Sequence, residues 1–233
     1  MTFLLNFYTE FPEYWDRELV LTGESFGGKY LSFAADAILS YNSKADSSKQ
    51  FTLKSLILSN VLVDVPTERV EQHHLGYAIG LYDDFQVEQV EELRKKCEEG
   101  PGRNFTREEQ AAAGKAILNY ITEPTGSVNQ MDARYFDYQH MPDSDPFQNM
   151  FKYSNKVDTL KTELHISKPD RFSKLNSTVA SEISDAEGNT AYLYTSLLSQ
   201  GLQILINVGQ FDMKDGVRQT MEWTKGIDFE DRE

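Results

Sequence analysis

The chain has 233 residues, 39% of them hydrophobic, which is length enough for one domain with an inserted cap or for two small domains around an ample core. Against 23 basic residues stand 37 acidic ones, a formal net charge of −14 with no basic cluster, and this excludes a phosphate-backbone binder. No apolar run approaches the roughly 20 residues of a membrane-spanning helix, and Cys97, the single cysteine, allows no intrachain disulfide. The first residues, Met1 to Phe7, lack the basic start and long apolar core of a signal peptide. They read instead as an amphipathic helix over residues 2–11, ended by Pro12.

Leu19 to Thr22 then form a short apolar, partly β-branched run, the pattern of a parallel strand covered on both faces. After Gly28, Tyr30, Leu31, Phe33, Ala34, Ala37, Ile38 and Tyr41 recur at helical spacing. The turn between, Gly23-Glu24-Ser25-Phe26-Gly27, has the G-x-S-x-G pattern of a nucleophile elbow. Small residues on either side would let strand and helix approach, leaving the Ser25 hydroxyl clear of the backbone. The N–H of Phe26 and the helix N-terminus would then face an oxyanion formed on an attacked carbonyl. An ordinary strand-to-helix turn is the other reading of those five residues.

Residues 42–50 are small and polar and read as a loop, followed by a second buried strand, Leu53 to Ser59. Asn60 ends that strand, either bordering a substrate site or capping the turn. From Glu68 to about Gln200 the pattern is helical and irregular. Val70, His74, Tyr77, Ala78 and Leu81 make one stripe, Phe85, Val87, Val90, Leu93 and Cys97 another, and Thr106 to Glu109 is a capping box that opens a third helix through Tyr120. An insertion this long between strands must be a subdomain of its own. The adjacent His73 and His74 fit a solvated helix position better than a metal site, because no cysteine or paired carboxylate stands at ligand spacing; no metal and no cofactor is expected. Asn104 and Asn176 begin glycosylation sequons. Gln203 to Val208 is the third strand, and the Gly209-Gln210-Phe211-Asp212 that follows places a carboxylate at the edge of the sheet that carries Ser25, in the chain order Ser then Asp. A plain turn aspartate is the alternative.

Gly23-Glu24-Ser25-Phe26-Gly27-Gly28-Lys29-Tyr30 resembles the G-E-S-Y-[AG]-G-K-Y of the serine carboxypeptidases, and Phe7-Tyr8-Thr9-Glu10-Phe11-Pro12-Glu13-Tyr14 resembles their F-F-x-x-F-P-E-[YF]. The similarity runs along the chain, nearest to the vitellogenic-like and retinoid-inducible branches and faint between about residues 100 and 150. It implies an α/β-hydrolase fold, a parallel sheet with an inserted helical lid, divided into core at 1–66, lid at 67–200 and core at 201–233. By the same resemblance Ser25 is the nucleophile, Asp212 orients the triad histidine, Phe26 supplies an oxyanion N–H, Glu24 is a protonated side chain that binds the peptide C-terminus, and Asn60 is a wall of the substrate site. His165 is a fold contact. The compartment implied is lysosome, vacuole or the outside of the cell.

The chain departs from the family in several places. Ser59 and Val61 replace small residues, and Ser127 stands where a lid cysteine is usual, which leaves Cys97 a free thiol on the apolar stripe of its helix. No histidine follows Asp212. The expectation is therefore an internal portion of the family domain, without its first strands and its histidine segment, with strand edges open to a second copy or to companion chains. Three functions follow: a serine-type carboxypeptidase acting on peptides, an inactive structural or binding relative, or an esterase or acyltransferase.

Overall fold

The computed structural model describes residues 1–98, 107–136, 162–163, 165, 178–179 and 188–228. Helix α1 (Thr2–Glu10) ends in a 3-10 turn at Pro12–Tyr14, because proline lacks the N–H that would continue the helix. Strand β1 (Glu18–Ser25) leads into α2 (Gly27–Asn42), and β2 (Thr52–Val61) into the short helices α3 (Val65–Glu71) and α4 (His73–Ala78). Helices α5 (Asp84–Glu98) and α6 (Arg107–Thr122) follow; α7 (Ala191–Ser199), β3 (Gln203–Asn207) and α8 (Val217–Thr224) complete the described elements. The single stripe read from Val70 to Leu81 is thus two helices, broken at Gln72.

The strands pair in parallel in the order β1-β2-β3, with Leu21 beside Leu56 and Leu56 beside Ile204. Leucine and isoleucine on both faces make β2 the buried centre, where Leu56 and Leu58 are inaccessible to solvent. The expectation of full cover fails for the outer strands. Val20 on β1 is 42% exposed and Leu205 on β3 57% exposed, and each strand has one hydrogen-bonded neighbour among the described residues.

Helices α2, α7 and α8 cover the sheet through Ala35, Tyr194, Leu197 and Trp223. A second core joins α3, α5 and α6 through Val70, Val90, Ile117 and Ile121, and each such side chain removed from water stabilises the fold by about 2 kcal/mol. Met213, from the loop after β3, is also buried in that core. The helical region is thereby anchored beside Asp212. A smaller core, Tyr8, Ile38 and Phe51 with Trp15, fixes α1 against the sheet.

Candidate active site at the strand ends

Two strand ends carry unusual backbone. Ser25, the last residue of β1, has φ of 53°, and Asn60, near the end of β2, has φ of 43°. Residues other than glycine seldom adopt the left-handed region, and functional sites are where such conformations collect. The β1–β2 register explains the second case, since Glu24 pairs with Ser59 and Ser25 with Val61, leaving Asn60 as a bulged extra residue. Close approach of strand to helix comes at Gly23 and Gly28 rather than at Gly27. A Cβ would lie 2.8 Å from Leu31 Cδ1 at the first and 2.7 Å from the Leu62 carbonyl oxygen at the second, whereas Gly27 faces open space. Phe26 heads α2 at its N-cap position. The buried Tyr194 donates to the Gly28 carbonyl at 2.8 Å, and the buried Lys29 donates to the carbonyls of Val63 and Gly188, so the head of α2 is held from two sides.

Asp212 is held from three directions. Its Oδ1 accepts the backbone N–H groups of Lys214 (2.7 Å) and Asp215 (2.8 Å), and its Oδ2 accepts Asn60 Nδ2 at 2.8 Å. Burial pushes its pKa up, against those hydrogen bonds and the Lys214 charge, which favour the ionised form. Asn60 also donates to the Asp215 carbonyl at 3.2 Å and accepts the Gly209 N–H at 3.1 Å. Both ends of its amide are thus engaged inside the protein, and Asn60 clamps the end of β2 to the loop after β3. Gly216 closes that loop, where a Cβ would come 1.9 Å from the Asp212 carbonyl oxygen.

The sequence reading did not single out Asp215 or Glu68. Asp215 is buried near Ser25, close enough for the hydroxyl to favour its ionised form. Burial raises the Asp215 pKa to about 7; Lys214 opposes this, the charges of Asp212 and Glu24 add to it, and the Ser25 hydroxyl lowers it. Glu68 is 2% exposed, with Oε1 accepting the N–H groups of Val63 (2.8 Å) and Asp64 (3.1 Å) and Oε2 lacking a partner among the described residues. Burial first, then the charges of Asp215 and Asp64, raise its pKa to about 8. A cavity of about 220 Å³ opens between Phe26, next to Ser25 in the chain, and Leu62, Glu68, Gln72 and Asp215. The spacing Asp212-Met213-Lys214-Asp215, in which an apolar side chain divides two acids, was the available sign of a folded-in loop.

Glu24 is exposed and acts on the site through its charge on Asp215. The histidines are elsewhere. His73 is not a solvated position: it is 7% exposed, with Nδ1 bonded to the Val70 carbonyl, while His74 pairs with Glu71 at 2.8 Å. His165 is exposed at φ of 55°. None of these three hydrogen-bonds to Ser25 or Asp212 among the described residues. Asn104, Thr106, His140, Asn176 and the Cys97 side chain lie outside the described residues, which hold no group of three residues able to bind a metal ion and no helix long and apolar enough to cross a membrane.

The sequence profile described as serine carboxypeptidase matches residues 1–233. Serine carboxypeptidase S10 family member 2 of Dictyostelium discoideum is 24% identical, the match covering 98% of this chain and 41% of that protein. The venom serine carboxypeptidase of Apis mellifera is 27% identical over 91% of this chain and 45% of its own length. The crystal structure of Kex1(delta)p, a prohormone-processing carboxypeptidase from Saccharomyces cerevisiae, superposes with a TM-score of 0.79 at 20% identity, over 97% of this chain and 51% of that one. The chain therefore spans about half the length of the proteins it matches, and the fold shared with that structure is the α/β-hydrolase one.

Proposed function

The chain belongs to the serine carboxypeptidase family, and from that premise we propose that it serves to release the C-terminal residue of a peptide through an acyl-enzyme on Ser25. The observation that carries this reading is Ser25 itself, held at φ of 53° between β1 and α2 with the buried Asp215 carboxyl near it. As Oγ bonds to the scissile carbonyl carbon, the hydroxyl proton passes to Asp215, and the developing oxyanion meets the Phe26 N–H and the head of α2. The proton then goes to the leaving amine as the C–N bond breaks, and water repeats the sequence to free the acyl group. A proton acceptor with a pKa of about 7 is matched to this work near neutrality.

Asp212 is the carboxylate that the family pattern assigns to orienting a histidine, Asn60 its positioning residue, and Glu24 the candidate for the peptide's terminal carboxylate. A secretory or vacuolar location accords with relatives such as the venom enzyme. The test is labelling by a fluorophosphonate probe. Ser25 should react and Ser25→Ala should not; equal labelling of the two proteins overturns the assignment, and absence of labelling in both favours the scaffold reading. Cleavage of an ester but not of a blocked dipeptide by the reactive protein would mean an esterase on this fold.

A further inference from the structure

Behind the strand ends, between α4 and α5, lies a second cavity of about 380 Å³ that shares no wall with the first. That is the size of a small-molecule site. We infer that it binds a small aliphatic primary amine in its ammonium form.

The polar hydrogens of its wall are already taken. Tyr82 donates to the His73 carbonyl at 3.2 Å, Tyr77 donates to Asp84 Oδ1 at 2.6 Å, and His74 Nε2 is bonded to Glu71 at 2.8 Å. His73 Nδ1 lies 2.7 Å from the Val70 carbonyl, and since a carbonyl can only accept, Nδ1 carries the proton. Burial, with the neighbouring His74, holds the His73 pKa below the usual histidine value and keeps the imidazole neutral, so Nε2 is a lone-pair acceptor. Nε2 makes no hydrogen bond among the described residues, although the side chain is more than nine-tenths buried.

Two carboxylates complete a set of acceptors. Among the described residues, the second oxygen of the exposed Asp84 and Oε1 of Glu91, which accepts Arg94 Nε through Oε2 at 2.9 Å, have no hydrogen-bond partner. His73 and Glu91 line the same cavity, and the Glu91 charge acts on His73. The remaining walls are aromatic and aliphatic: the Tyr77 and Tyr82 rings stand 5.6 Å apart at 50°, the His73 and His74 rings 4.0 Å apart, and Val87 and Val90 form the apolar side. Ring faces attract a cation. A primary ammonium brings three donors to three acceptors and an alkyl stem to the valines. A quaternary ammonium would leave the acceptors unused, and an anion would be repelled by the Asp84 and Glu91 carboxylates in a chain of net charge −14.

The inference is independent of Ser25 and can be tested without it. Binding of n-pentylamine at pH 7.5, followed by saturation-transfer NMR and calorimetry, should be saturable and at least tenfold tighter than that of n-pentanol or tetramethylammonium. Glu91→Gln and Asp84→Asn should each weaken it at least fivefold, with thermal melts confirming that the variants fold, and Ser25→Ala should leave it unchanged. Equal binding of amine and alcohol would reveal an apolar slot only, tighter binding of tetramethylammonium an aromatic cage only, and unchanged binding in both carboxylate variants a site elsewhere; any of these overturns the inference. The amine-against-alcohol comparison needs no variant, so it decides the matter even if a substitution unfolds the chain.

Discussion

The strand-end cluster and the α4–α5 cavity are both lined with acids, yet they treat them in opposite ways. At the strand ends the protein supplies most of the donors: Asp212 receives two backbone N–H groups and an amide, and Glu68 Oε1 receives two more N–H groups, with Glu68 Oε2 lacking a partner among the described residues. In the cavity the protein's donors are used within the wall, and among the described residues its carboxylates keep acceptor oxygens without a protein donor. Internal satisfaction gives rigid geometry suited to a reaction, whereas unsatisfied acceptors are suited to a ligand that brings its own protons. The two regions share the second hydrophobic core, which takes in both Met213 and Val90, so each is built on the same packing.

Removing the acceptor at Ser25 should have the largest effect. Asp215→Asn should slow fluorophosphonate labelling by about 10²–10⁴-fold, the usual contribution of a general base. In the parent protein the labelling rate should rise as pH passes about 7, where Asp215 loses its proton, and in the variant that rise should disappear. A variant that labels at the parent's rate would show that Asp215 takes no part in the reaction of Ser25.

Backbone closure comes next. Gly216→Ala puts a methyl 1.9 Å from the Asp212 carbonyl oxygen and should cost about 3 kcal/mol in urea unfolding, as overpacking does. Gly226→Ala, 3.5 Å from its nearest neighbour, is the matched control and should change little.

The buried acids also predict a pH dependence of stability. Glu68 and Asp215 have folded pKa values near 8 and 7, above those of the unfolded chain, so the folded state holds protons that the unfolded state releases. Stability should therefore be full below about pH 4 and decline as pH rises to about 8. Melts at pH 5 and pH 8 should differ in that sense, and Glu68→Gln should flatten the slope; an unchanged slope would show that Glu68 does not hold its proton.

The smallest effects compare the regions side by side. Asn60→Ala strips partners from Asp212 and from the Gly209 N–H and should cost about 1–2 kcal/mol, while Tyr82→Phe gives up one hydrogen bond at 3.2 Å and should cost less than about 1 kcal/mol. Equal losses in denaturant titrations would erase the contrast between a satisfied cluster and an open cavity.

The strand-to-helix turn at Ser25, the three strands and the family were legible in the sequence because each depends on contiguous residues: an apolar run, a turn, a change of period at Gly28. The exposed faces of Val20 and Leu205 were not legible, because an apolar run looks the same whether or not anything covers it. The break between α3 and α4 escaped for a related reason, as the apolar stripe continues across Gln72 while the backbone does not.

The chain by itself determined where the strand-to-helix turn at Ser25 stands and that Asp212 follows the last described strand, since both are local patterns of side-chain size and backbone freedom. Tertiary structure alone decided what those residues meet. The Asn60–Asp212 bond joins positions 152 residues apart, and no periodicity reports such a pair. The protonation of Glu68 and Asp215 and the tautomer of His73 are set by burial and by which carbonyl, amide or charge lies opposite. Those are properties of a place in the fold, and a residue's identity acquires them only when distant segments close around it.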